Sequence, residues 1–68
     1  MTFAELKVPS LFCDKDQPES GTYVKTEAIY SKYGDDIYNA VSLYDGEFYW
    51  FFADHEVQEY GYAVFKTL

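Results

Sequence analysis

Nucleophiles, general bases and metal ligands are scarce in this chain, which has one cysteine, Cys13, and one histidine, His55. A thiol becomes a useful nucleophile only with a base in hydrogen-bond reach. The two residues lie 42 positions apart, so only folding could pair them. Two short segments carry metal-ligand residue types: Asp14-Lys15-Asp16, and Asp54-His55-Glu56 with Glu59 following. In an extended chain successive side chains point to opposite faces, so His55 diverges from Asp54 and Glu56. In a helix, His55 and Glu59 would share a face. Asp14-x-Asp16 opens like a calcium loop, but the sixth position, where such a loop needs glycine, is Glu19. Neither segment alone predicts a metal site, no cofactor is expected, and the expectation is a protein that is not an enzyme.

Charge says more. Twelve Asp and Glu face five Lys and no Arg, for a net charge of −7 and a pI near 4.3. Such a balance disfavours nucleic-acid phosphates and anionic membranes as direct partners. Without arginine the chain also has no bidentate fork for phosphate or carboxylate. The acids are unevenly spread. Residues 1–34 hold 5 acids and 4 lysines, whereas residues 35–68 hold 7 acids and one lysine. In the second half the acids gather at expected bends: Asp35-Asp36, Asp45-x-Glu47, and Asp54-x-Glu56 leading to Glu59. In extended structure an i, i+2 pair sits about 6.7 Å apart on one face. One strand of nucleic acid carries a charge every roughly 3.4 Å, a spacing of the same order.

Fifteen residues are aromatic, 22% of the chain. A domain of this size with a single cysteine has no internal disulfide to staple it. The Phe residues and Trp50 are therefore expected in the core. Tyrosine tolerates partial exposure and is enriched at protein–protein hot spots.

The elements that must position these residues read mainly as β. Asp45-Gly46 lies between two extended runs, 38–44 and 47–53, which predicts a hairpin with a type I′ turn. The second run is aromatic on both alternating faces, the pattern of a strand central in its sheet or wrapped into a small barrel. Further strands are expected at 22–30 and 60–67, and a short one at 3–8 that Pro9 would stop. Residues 14–21 are polar and punctuated by Pro18 and Gly21, so they read as an irregular loop. The expectation is one domain spanning 1–68, a four- to five-stranded antiparallel sheet, curled or barrel-like. The alternative is an α+β fold with one short helix, at 26–33 or over 36–44, where Ile37, Ala40, Val41 and Tyr44 have helical spacing.

The start of the chain, Met1–Lys7, lacks the basic and apolar regions of a secretory signal. The longest apolar block, 48–53, is too short to span a bilayer. A lone thiol suits a reducing compartment, and cytoplasmic is the expected location.

Together these features predict a binding protein whose acidic, tyrosine-rich surface meets a basic site on a protein partner. Its most specific form is a nucleic-acid mimic that inhibits a DNA- or RNA-handling enzyme, by analogy with small acidic phage counter-defence proteins. The expected contact residues are Asp35, Asp36, Asp45, Glu47, Asp54, Glu56 and Glu59, supported by Tyr44 and Tyr60. The rival expectation is a structural or assembly module pairing through a sheet edge, its acidity serving solubility alone.

Overall fold

A computed structural model describes residues 1–32 and 34–62, apart from the side chain of Tyr62. They form one five-stranded antiparallel sheet: β1 (Ser10–Asp14), β2 (Thr22–Tyr30), β3 (Ile37–Ser42), β4 (Phe48–Tyr49) and β5 (Val57–Tyr62). The strand order is β4-β3-β2-β1-β5, so the sheet is open, with β4 and β5 at its edges. Both stretches with helical alternatives are strands, β2 and β3. Tyr33 and residues 63–67 of the expected last strand lie outside the described residues.

The register shows which residues share a face. Phe12 opposes Tyr23, Tyr23 opposes Ser42, and Ala40 opposes Lys25 on one side and Tyr49 on the other. This face carries the core. It is covered by the N-terminal segment and by residues 50–56, which cross from β4 to β5. Phe3 and Phe51 descend from that cover onto Phe12 and Tyr23. Phe51 meets Phe12 edge to face at 5.2 Å between centroids, and Phe3 stacks on Phe51 at 5.5 Å. Offset and edge-to-face arrangements of this kind add about 0.5–1.5 kcal/mol per pair beyond area burial. The two cover segments also bond to each other: Phe3 N–H donates to His55 O (2.8 Å) and Ala4 N–H to Ala53 O (2.9 Å).

Four local expectations differ from the structure. Residues 3–8 are not a strand; Phe3–Glu5 is a 3₁₀ turn. The Glu5 carboxylate accepts from the Thr2 N–H (2.8 Å) and hydroxyl (3.0 Å), closing the chain on itself and aiming Phe3 inward. The strand of that region is β1 instead, a five-residue run after Pro9 that lies central in the sheet. Its residues Phe12 and Cys13 are buried on opposite faces.

The Asp45-Gly46 hairpin is present, but its loop has four residues, 43–46, closed by Ser42 N–H to Glu47 O (2.9 Å). A type I′ turn needs positive φ at both central residues, and here only Gly46 has it, at 74°. Asp45 uses its side chain instead, accepting from the Glu47 N–H (2.9 Å).

The run after this turn is neither central nor barrel-wrapped: β4 has two residues and is an edge. The cause is Asn39. Its amide accepts from the Phe51 N–H and donates to the Phe51 carbonyl (2.9 Å each), satisfying that backbone while the chain leaves the sheet. Tyr49 and Phe51 face inward, and of the run Phe51 alone is buried. Phe48, Trp50 and Phe52, expected in the core, are exposed, because nothing described covers their side of the edge.

Candidate functional site

The acids expected to act together occupy different parts of the sheet. Asp45 and Glu47 lie in the β3–β4 loop, at the end of the sheet where β1 finishes and β5 begins. Glu56 is at that end too, immediately before Val57, and lies 3.5 Å from the N-terminal ammonium of Met1. Asp35 and Asp36 lie in the β2–β3 connection, at the opposite end. With β3 six residues long, the two ends stand roughly 16 Å apart. Glu59 is on edge strand β5, opposite Phe12. Asp54 belongs to the crossing segment, next to Ala53, whose carbonyl is tied to Ala4.

The supporting tyrosines differ as well. Tyr44 projects from the hairpin loop and is 87% exposed. Tyr60, on β5, is exposed too, but its hydroxyl engages the Cys13 thiol. That hydrogen bond first, then partial burial, holds the phenol above its ordinary pKa. Tyr49 is the least exposed of the three. Its ring meets Tyr23 edge to face at 5.4 Å, and its hydroxyl reaches Asp45 Oδ2 at 3.4 Å. Desolvation, then the Asp45 charge, raises its pKa.

The most conspicuous surface feature includes three rings, Phe48, Trp50 and Phe52, whose residue types point to the core. Trp50 is 52% and Phe52 69% exposed, and Phe48 and Tyr44 are exposed as well, so the β3–β4 hairpin and the start of the crossing segment carry a stretch of solvent-facing rings within residues 44–52. Asp45 and Glu47 flank it at one end of the run and Asp54 at the other. Alternation was the available signal: Tyr49 and Phe51 facing inward force 48, 50 and 52 outward once the run lies at an edge.

A second group joins halves of two segments that looked unrelated. His55 Nε2 lies 2.9 Å from Asp14 Oδ1 and 4.0 Å from Asp16 Oδ2. One ligand-capable atom from each of the three residues falls within 4.8 Å of the others. The Asp16 N–H donates to Asp14 Oδ1 (2.9 Å), and Lys15 N–H to Glu56 O (3.3 Å) fastens the loop to the start of β5. Burial pushes the Asp14 carboxyl upward, but the His55 bond, the Asp16 N–H and the His55 charge outweigh it, so its pKa is lowered. Cys13 does not pair with His55. Successive residues of β1 face opposite ways, and His55 sits with Asp14 while Cys13 sits with Tyr60.

Lys25 and Asn39 carry structural roles that the sequence did not announce. Lys25 Nζ donates to the carbonyls of Phe3 and Leu6 (2.8 Å each) and lies 4.6 Å over the Phe3 ring. Burial lowers its pKa. On the face of the sheet away from the core, Val8, Pro9, Val24, Thr26, Val41 and Leu43 line most of a hollow of about 390 Å³. Among the described residues no helix is long and apolar enough to cross a membrane. No family model, curated protein or solved structure matches this chain, so its function has to be read from its own residues.

Proposed function

We propose that this protein is a non-catalytic binding module that docks its β4 edge on a basic surface of a protein partner. The observation that carries this reading is the exposure of Phe48, Trp50, Phe52 and Tyr44, with Asp45, Glu47 and Asp54 close to them in the chain. Exposed tryptophan and phenylalanine cost solubility unless they are used, and aromatic anchors supply most of the affinity at protein interfaces. Carboxylates beside them steer a cationic partner and select its orientation. The narrower form is inhibition of a nucleic-acid-handling enzyme in the cytoplasm by occupying its phosphate-binding surface. The net charge of −7 supports that form. Asp35 and Asp36, at the opposite end of the sheet, are left out of the proposed contact.

The test is affinity capture from host lysate with three baits: the protein, a Trp50→Ala/Phe52→Ala variant, and an Asp45→Lys/Glu47→Lys/Asp54→Lys variant. The expected partner is basic, is lost with both variants, and elutes as salt rises through a few hundred millimolar. Displacement of the partner by duplex DNA or RNA supports the mimic form. A partner retained by both variants places its contact elsewhere and removes this reading. The open edges β4 and β5 favour one rival, self-pairing through a sheet edge. That rival requires concentration-dependent sedimentation that salt does not alter.

A further inference from the structure

We infer that Asp14, Asp16 and His55 form a binding site for a divalent transition-metal ion of the zinc class, at the junction of β1 and the crossing segment. The site is independent of the β4 edge. Its ligand set, one imidazole and two carboxylates, is one that zinc and its first-row neighbours accept. The three side chains come from two separate stretches, the end of β1 with its following loop and residue 55. Their convergence is therefore made by the fold and not by local acidity.

Spacing supports the assignment. Ligands at about 2.1 Å from one ion stand about 3.0 Å apart in an octahedral site and about 3.4 Å apart in a tetrahedral one. His55 Nε2 is 2.9 Å from Asp14 Oδ1 and 4.0 Å from Asp16 Oδ2, and all three ligand atoms lie within 4.8 Å of one another, so a side-chain adjustment of about an ångström or slightly more at Asp16 completes the set. Asp16 is the group that moves, since its side chain is 73% exposed. The other two are held in place. Asp14 is paired with Val57 in the sheet. The His55 backbone donates to Phe52 O (3.1 Å) and accepts from Phe3 N–H (2.8 Å), and its ring packs 5.5 Å from Phe51. Binding exchanges the direct Asp14–His55 hydrogen bond for two bonds to the ion. Water fills the remaining coordination positions. The ion then clips the crossing segment to the end of β1.

The test is a titration of the full-length, chelator-stripped protein with zinc chloride, followed by calorimetry and by amide chemical shifts. One equivalent is expected to bind saturably at micromolar zinc, shifting the amides of residues 14–16 and 54–56 and raising the thermal midpoint reversibly with chelator. Asp16→Ala leaves the Asp14–His55 bond and the metal-free fold intact, and should weaken zinc at least about tenfold. His55→Ala should weaken it further, and Cys13→Ser should not. Absence of saturable binding overturns the site. So does wild-type affinity in Asp16→Ala and His55→Ala, or a loss caused by Cys13→Ser.

Discussion

Two aromatic regions of this molecule are built from the same residue types and meet opposite fates. Phe3, Phe12, Tyr23 and Phe51 interlock between the sheet and its cover, whereas Phe48, Trp50, Phe52 and Tyr44, in the β3–β4 hairpin and the start of the crossing segment, stand in solvent. Phe51 and its neighbours Trp50 and Phe52 are consecutive in the chain. Ring chemistry therefore does not decide burial here. What decides it is whether another segment lies over the ring, and among the described residues such a segment lies over the core face.

The largest effect that would test this contrast is on Phe12, which is 0% exposed. Phe12→Ala should cost about 3–5 kcal/mol, enough to unfold a domain of this size, and circular dichroism during urea titration would show it. A folded, cooperative Phe12→Ala protein would mean that the ring cluster is not the source of stability. Next comes Lys25→Met, which keeps the aliphatic stem but leaves the Phe3 and Leu6 carbonyls without their donor. A loss of about 1–3 kcal/mol in urea is expected, with amide exchange speeding first in residues 3–6.

Asn39→Ala should cost about 1–2 kcal/mol by removing two hydrogen bonds to Phe51. Its more specific sign is faster exchange of the Phe51 amide while the β1–β2 amides keep their protection.

The Asp14–His55 contact gives a smaller, pH-dependent effect. The Asp14 pKa is lowered from 3.8 in the folded protein. Its contribution is therefore present above about pH 4 and is lost as pH falls through the lowered folded value. Asp14→Asn should accordingly flatten the acid limb of the urea midpoint against pH, and an unchanged limb would show that the contact adds nothing. Smallest of all, Phe52→Ala should move stability by no more than about 0.5 kcal/mol, measured in the same urea series. A loss comparable to that of Phe12→Ala would show that the edge rings belong to the structural core after all.

Much of this fold could be read before folding. β2 follows from the β-branched and aromatic run at 22–30, and the β3–β4 hairpin from Asp45-Gly46 between extended runs. Of the polar stretch at 14–21, Asp14 ends β1 and residues 15–21 connect it to β2, with a 3₁₀ turn at Pro18–Ser20. β1 escaped notice because five residues after a proline carry little periodicity, and a strand buried on both faces shows no alternation. The turn type was misread because the Asp45 side chain can bond the Glu47 N–H at negative φ, leaving only Gly46 in the left-handed region. The Asp14–His55 contact spans 41 positions, and no local pattern encodes such a pairing.

Composition and local pattern by themselves determined a small, acidic, antiparallel β protein, because charge totals and two-residue periodicity are properties of neighbours along the chain. Tertiary structure alone decided which rings are buried, which carboxylates share an end of the sheet, and that His55 faces Asp14 and not Cys13. Those outcomes depend on where residues 1–6 and 50–56 lie across the sheet. That placement is set by contacts between distant segments, such as Lys25 with Phe3 and Asn39 with Phe51.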